Sequence, residues 1–141
     1  MTQNQDIIEI KKQFVLKNEL PFALIYRHLS LPILLVKYKK NSVLNLKNAE
    51  IIVEKVYPFV SEGINLVITD SRENYDNSDE KARALLSDNK SLKLIKAHAI
   101  LVKELPMRIS TSHFIVKNQP ITEFKQFKSL ENAISWLINY E

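Results

Sequence analysis

Apolar and polar positions alternate or cluster along this chain in patterns typical of β-strands. Side chains between residues 22 and 29 alternate between two faces, and an apolar run occupies residues 33–38 after the break at Leu31-Pro32. Two neighbouring strands with a short connection predict an antiparallel hairpin. Three later runs predict further strands, and the first two are apolar on both faces, as in inner parallel strands. These runs occupy residues 64–69, 97–102 and 121–127.

Apolar residues also recur at spacings of three and four, which predicts helices after these strands. Asn45 suits the N-cap of the first helix, Pro58 is expected to kink or end that helix, and Gly63 suits a left-handed residue just past its end. Ser129 is the predicted cap of the last helix. Two further helices are predicted over residues 77–86 and 105–116.

The first eighteen residues show a mixed pattern. Their apolar side chains could line a short helix or an edge strand, and the spacing fits neither well; they are Ile7, Ile8, Ile10, Phe14 and Val15. We therefore predict an N-terminal extension at residues 1–18 and a single domain at residues 19–141. The element order β-β-α-β-α-β-α-β-α predicts an α/β fold with a mixed, mostly parallel β-sheet, an N-terminal antiparallel hairpin and about four covering α-helices.

Missing residue types narrow the chemistry. The 141 residues include no cysteine, which excludes disulfides, thiol nucleophiles and cysteine-based metal sites. Gly63 is the single glycine, so neither a glycine-rich phosphate loop nor the G-x-S-x-G elbow of serine hydrolases can form. The three histidines make no H-E-x-x-H pair. We therefore predict no catalytic residues, no metal site and no cofactor.

The formal net charge is +4, with a local contrast behind it. Residues 70–88 carry six acidic and three basic side chains, whereas residues 90–128 carry eight basic and two acidic ones. A basic stripe can attract phosphates, but a solvated surface is the commoner outcome, so no specific nucleic-acid binding is predicted. No apolar run reaches the ~20 residues of a membrane span, and the N-terminus does not resemble a signal peptide. A cytoplasmic protein is expected.

Several segments, in this order and spacing, resemble the STAS domains and in particular the SpoIIAA-like small proteins. The resemblance covers roughly residues 20–140. The segments that carry it are L-V-I-T-D at 66–70, E-K-A-R-A-L-L at 80–86, A-H-A-I-L-V at 97–102, Met107-Arg108, H-F-I-V-K-N-Q-P at 113–120 and F-K-S-L-E-N-A-I-S-W-L at 127–137. The resemblance implies a bacterial regulatory protein with the SpoIIAA-like fold.

The resemblance also points to a phosphorylation site. In phosphoregulated STAS antagonists, a D-S-S-G-L-G segment starts the helix after the central strand, and its second serine is phosphorylated by a partner kinase. The corresponding segment here begins at Asp76 and places Ser78 at the phosphorylated position. Both glycines are missing, and Asp79 and Glu80 would repel a phosphate. The alternative is that Asn77 or Ser78 caps the helix.

A ligand or partner surface is the remaining candidate site. Asp70 ends a predicted parallel strand, where α/β sheets often bind ligands, although capping the turn before Arg72 is the role we favour for this carboxylate. The other candidates for this surface are Asp76, Arg108 and His113. His98, inside an apolar strand, is expected to be a hydrogen-bonded, semi-buried residue and not a ligand.

Two non-enzymatic hypotheses follow from these observations, and a third, enzymatic class remains that would require Asp70, Arg108 and His113 to lie close together. The first is a non-catalytic STAS-like binding or regulatory module that acts through a protein partner or as a homodimer, joined through the hairpin edge or the N-terminal segment. The alternative is a SEC14-like carrier or sensor of a lipid or other small apolar ligand, held between residues 105–116 and the last helix. Late aromatic residues could line that cleft, although core packing would also explain them.

Overall fold

Six strands form one mixed sheet in this computed structural model, which describes residues 2–73, 81–82, 85, 94–103 and 123–140. The strands are β1 Phe14–Glu19, β2 Ala23–His28, β3 Ile33–Tyr38, β4 Leu66–Asp70, β5 Ala97–Leu101 and β6 Glu123–Phe127, and they are adjacent in that order. The pairs β1–β2 and β2–β3 are antiparallel, and the pairs from β3 to β6 are parallel. The α/β class, the early hairpin and the mostly parallel sheet are thereby confirmed.

The predicted count of about four covering helices is not matched. The described residues contain three helices, α1 Thr2–Gln13, α2 Leu46–Ser61 and α3 Leu130–Ile138. Of the helix predicted over residues 77–86, only residues 81, 82 and 85 are described, and they are helical. The helix predicted over residues 105–116 lies outside the described residues.

The N-terminal segment contains both of the elements that its sequence left open. It is helical up to Gln13 and extended from Phe14 onwards. Its apolar residues therefore follow the spacing of a helix first and that of a strand afterwards. The amide of Leu29 donates a hydrogen bond to the Gln13 carbonyl over 2.9 Å, which joins the end of α1 to the sheet. Ile10 and Phe14 are buried. The division into an extension at residues 1–18 and a domain at 19–141 stays a prediction.

Each face of the sheet is covered by different helices, because successive side chains of a strand point to opposite faces. One face, called the α2 face, packs under α2. Its helical and strand residues include Ala49, Ile52, Val56 and Val60 together with Ile25, Leu34, Val36 and Val67. The other face, called the α1–α3 face, lies under α1 and α3. Its residues include Ile10, Leu130, Ala133 and Leu137 together with Ile33, Leu35, Ile68 and Leu101.

Local capping chemistry sets the bounds of α2. The Asn45 side chain accepts a hydrogen bond from the Asn48 amide over 2.8 Å, as an N-cap should. Pro58 lies inside α2 and does not end it. Only the last turn of the helix follows, and the Gly63 amide donates a hydrogen bond to the Val60 carbonyl at its end. Gly63 has φ of 115° just past the helix, so its expected left-handed conformation is confirmed.

Candidate functional site

Polar side chains meet where β3 and β4 end. Lys37 and Asp70 are register partners in the parallel pair, and both are almost fully buried. Asp70 Oδ1 accepts hydrogen bonds from the Arg72 backbone amide at 3.1 Å and from Arg72 Nε at 3.0 Å. Asp70 Oδ2 accepts from Arg72 Nη2 at 2.8 Å and from Lys37 Nζ at 3.4 Å. Both carboxylate oxygens are therefore occupied, and one of them caps the turn into Arg72.

Two glutamates extend this group into a five-residue ion cluster. Lys37 Nζ lies 2.5 Å from Glu73 Oε2, and Arg72 Nη1 lies 3.7 Å from Glu9 Oε1 on α1. We call Glu9, Lys37, Asp70, Arg72 and Glu73 the strand-end ion cluster. It connects α1, β3 and β4 at the carboxyl end of the parallel strands.

The charge state of Asp70 follows from two opposing effects. Burial by itself raises the pKa of a carboxyl, because it disfavours the charged form. The hydrogen bonds and charge of Arg72, together with the charge of Lys37, outweigh burial and hold the pKa of Asp70 below its ordinary value. Asp70 is thus an ionised anchor for two buried cations. A ligand could reach it only if Arg72 moved away.

The structure describes one of the five site residues that the sequence predicted. Asp70 is described and lies in the strand-end ion cluster. Ser78, Asp76, Arg108 and His113 lie outside the described residues, so their roles stay predictions. Lys37 and Glu9 were not among the predicted residues. A lysine within an otherwise apolar strand was the signal that could have identified Lys37.

A histidine occupies the opposite face of the same sheet. His98 Nε2 lies 2.5 Å from Thr69 Oγ1, a hydrogen bond between neighbouring strands β5 and β4. The His98 ring stacks on Phe124, with ring centroids 4.6 Å apart and planes inclined by 29°. Burial lowers the pKa of His98 to about 4, so the imidazole is neutral at physiological pH. It acts as a packing and hydrogen-bonding group. Among the described residues, no three metal-ligating side chains come together.

An open groove of about 520 Å³ runs between α3 and the β6 edge. We call it the aromatic groove. It is lined by Lys125, Phe127, Asn132, Ser135, Trp136, Asn139 and Tyr140. The Trp136 ring contacts the other two aromatic rings, with its centroid 5.6 Å from that of Phe127 and 5.4 Å from that of Tyr140. Lys125 Nζ is 5.6 Å from the Phe127 ring centroid, within range of a cation–π contact.

The amphipathic pattern of α3 explains why this groove exists. Leu130, Ala133 and Leu137 contact the sheet, so the next stripe of the helix lies along the β6 edge. Ser129 caps α3 by accepting from the Asn132 amide at 3.1 Å, as predicted, and this fixes where the stripe begins. At the other end, the Tyr140 hydroxyl donates to Glu123 Oε2 over 2.5 Å and raises the pKa of that tyrosine.

Comparisons with known proteins identify the fold. A family model for a domain of unknown function, DUF7793, matches residues 28–141. The structure is similar to that of an uncharacterised protein of the DUF3478 family from Shewanella loihica PV-4, described as having a SpoIIAA-like fold. The two chains share 19% sequence identity, and the match covers 87% of this chain and 99% of the other, with a TM-score of 0.53. The SpoIIAA-like fold expected from the sequence is thereby confirmed.

No curated protein matches the sequence. Within the described ranges, none of the helices combines the length and the apolar character that crossing a membrane requires.

Proposed function

We propose, from the premise that this chain belongs to the DUF7793 family of domains of unknown function and has a SpoIIAA-like fold, that it is a non-catalytic binding module. It acts through contact with another protein, and the aromatic groove is its contact surface. The observation that carries the proposal is the row of half-buried aromatic rings, Phe127, Trp136 and Tyr140, between α3 and β6.

The composition of the groove favours a protein partner. Tryptophan and tyrosine dominate the energetics of protein interfaces, because their rings bury a large area and carry one polar group each. Trp136 and Tyr140 are only half-buried in this chain, so a partner can cover the remainder of both rings. Asn132, Ser135 and Asn139 supply exposed polar groups beside them. This combination of aromatic anchors and a polar rim is typical of a protein interface.

The shape of the groove supports the same choice. Small-molecule sites enclose most of their ligand, whereas this groove is open along its length. A SEC14-like carrier is therefore the second candidate and not the first. Its predicted cleft involves residues 105–116, which lie outside the described residues.

The buried charged residues of the strand-end ion cluster have a structural role. Its carboxylates and cations are bonded to one another, with both oxygens of Asp70 accepting from Arg72 and Lys37. A general acid or base must itself lie within hydrogen-bond reach of the substrate. Asp70 instead joins β3 to the end of β4 through Lys37 and Arg72, which is consistent with a module that binds without reacting.

Matched arginine substitutions test the proposal. Ser135→Arg places a long cation in the aromatic groove, and Ser61→Arg makes the same change on exposed α2, on the opposite face of the sheet. Each purified variant and the wild type serve as bait in cell extract, and captured proteins are quantified by mass spectrometry. We expect a defined set of proteins captured equally by the wild type and Ser61→Arg, and reduced about tenfold by Ser135→Arg, the change that ~1.4 kcal/mol produces.

Two results would count against this function. Equal capture by all three baits would show that the groove is not the contact surface. Extraction of a bound lipid from the purified wild type, with no protein that distinguishes the variants, would favour the carrier instead. Far-ultraviolet circular dichroism establishes beforehand that both variants are folded.

A further inference from the structure

We propose that protonation of His28 releases the β2–β3 turn, residues 29–32, from the end of α1, so that this part of the fold responds to acid. The turn lies where β3 begins, at the opposite end of that strand from the strand-end ion cluster. The inference does not involve the aromatic groove, so it is independent of the proposed function.

The His28 ring holds the turn through one nitrogen. Nδ1 accepts hydrogen bonds from the backbone amides of Ser30, over 3.1 Å, and Leu31, over 3.0 Å. A ring nitrogen that accepts a hydrogen bond carries no proton, so the ring is neutral and its proton lies on Nε2. A cationic ring has a proton on both nitrogens and has no acceptor. Protonation of His28 therefore removes the partner of both amides at once.

The same turn is joined to α1. The Leu29 amide donates to the carbonyl of Gln13, the last residue of α1, over 2.9 Å. Phe14, the next residue, is the register partner of His28, and the two rings meet at 80° with centroids 5.0 Å apart. Leu29 lies directly between His28 and the two amides that the ring holds. We therefore expect a turn that has lost its bonds to Nδ1 to lose the bond between Leu29 and Gln13 as well.

The surroundings of His28 favour the neutral ring. Burial lowers the pKa of His28, and no charged group among the described residues contributes to that shift. The charged side chains nearest along the adjoining elements are Lys11 and Lys12 in the last turn of α1, and Arg27 on β2, which pairs with Glu62 at 3.8 Å. The two bonds to Nδ1 are therefore intact at neutral pH, and acid favours the open turn.

The size of the response follows from the proton that the closed turn excludes. An open turn leaves His28 with the ordinary histidine pKa of about 6.5. Between pH 7 and pH 5, the ratio of open to closed turns then rises by up to about 25-fold. Amide hydrogen exchange, measured by NMR and corrected for the intrinsic effect of pH, reports this ratio residue by residue. We expect the protection of Leu29, Ser30 and Leu31 to fall by about tenfold or more, in parallel with the titration of the His28 ring.

Three comparisons separate this release from other effects of acid. The Asn48 amide is bonded to the side-chain oxygen of Asn45, which does not titrate, so it should keep its protection. His28→Asn supplies an oxygen that accepts from the same amides, as in an Asx turn, and should abolish the pH dependence. His28→Leu removes the acceptor and should leave Ser30 and Leu31 weakly protected at both pH values.

Three results would overturn the proposal. Equal protection of Ser30 and Leu31 at pH 7 and pH 5 would show that acid does not open the turn. A fall in protection that persists in His28→Asn would assign the response to another group. A Leu29 amide that keeps its protection while the other two lose theirs would show that the turn opens without releasing α1.

Discussion

Acid should destabilise this protein through His98, and the size of the effect can be worked out from the fold. Burial lowers the pKa of His98 to about 4, whereas an exposed histidine titrates near 6.5. The folded state therefore binds a proton less readily than the unfolded chain. The resulting stabilisation is fully present above pH 6.5 and is lost as the pH falls towards 4. At complete loss it amounts to about 3 kcal/mol.

Most of this loss of stability should occur at pH values that are accessible to experiment. Between pH 7 and pH 5, the linkage relation for these two pKa values gives a decrease of about 2 kcal/mol in the free energy of unfolding. Because the His98 ring is not completely shielded from solvent, screening makes this an upper value. His98→Gln removes the titration and keeps a polar group able to reach Thr69. The variant should therefore lose less stability on acidification than the wild type.

Urea unfolding at pH 7, 6 and 5, followed by the fluorescence of Trp136, measures this difference. Groups other than His98 titrate in both proteins, so their contributions cancel in the comparison. His28→Asn is the matched control, because an asparagine can replace the ring nitrogen that accepts from the Ser30 and Leu31 amides. That variant should retain the loss that is linked to His98. Identical pH dependence in the wild type and His98→Gln would refute the reasoning.

Three further predictions concern the free energy of unfolding, and urea unfolding can measure each of them. Asp70→Asn leaves the buried Arg72 and Lys37 without their shared carboxylate and should cost about 3 to 5 kcal/mol; a cost below about 1 kcal/mol would contradict an anchoring role. Leu35→Ala removes a fully buried side chain and should cost about 2 to 5 kcal/mol, whereas Leu29→Ala, at a residue 64% exposed, should cost under about 0.5 kcal/mol. Asn45→Ala removes the cap of α2 and should cost about 1 kcal/mol; an unchanged free energy of unfolding would contradict this capping role.

The features that the sequence predicted well depend on local chemistry. Strand β3 occupies residues 33–38 as its apolar run indicated, and Asn45 caps α2 because a side-chain oxygen meets an amide three residues away. Gly63 has positive φ for an equally local reason, since it lacks a Cβ. Each of these outcomes requires only neighbouring residues.

The features that the sequence did not determine depend on tertiary contacts. The apolar residues before Gln13 and after Phe14 serve a helix and a strand in turn, and a single periodicity cannot describe both. Lys37 becomes tolerable in a buried strand only because Asp70, 33 residues away, lies beside it in the parallel register. That pairing is set by the sheet and cannot be found from spacing alone.

The aromatic groove depends partly on local sequence pattern and partly on tertiary contacts. The stripe of α3 that carries Trp136 follows from helical periodicity, and late aromatic residues were expected either in the core or along a cleft. Whether that stripe contacts the core or the solvent depends on how α3 crosses the sheet. The crossing leaves Trp136 beside the edge strand and only half-buried.

The strands of the described sheet lie side by side in the order in which they are synthesised. A nascent chain can thus attach each new strand to one that has already left the ribosome, and the meander from β1 to β3 is complete by Tyr38. Each later strand waits for a crossover of roughly twenty residues or more. Since β6 and α3 are added last, a chain that stops before them can pair the first five strands and still lack the aromatic groove.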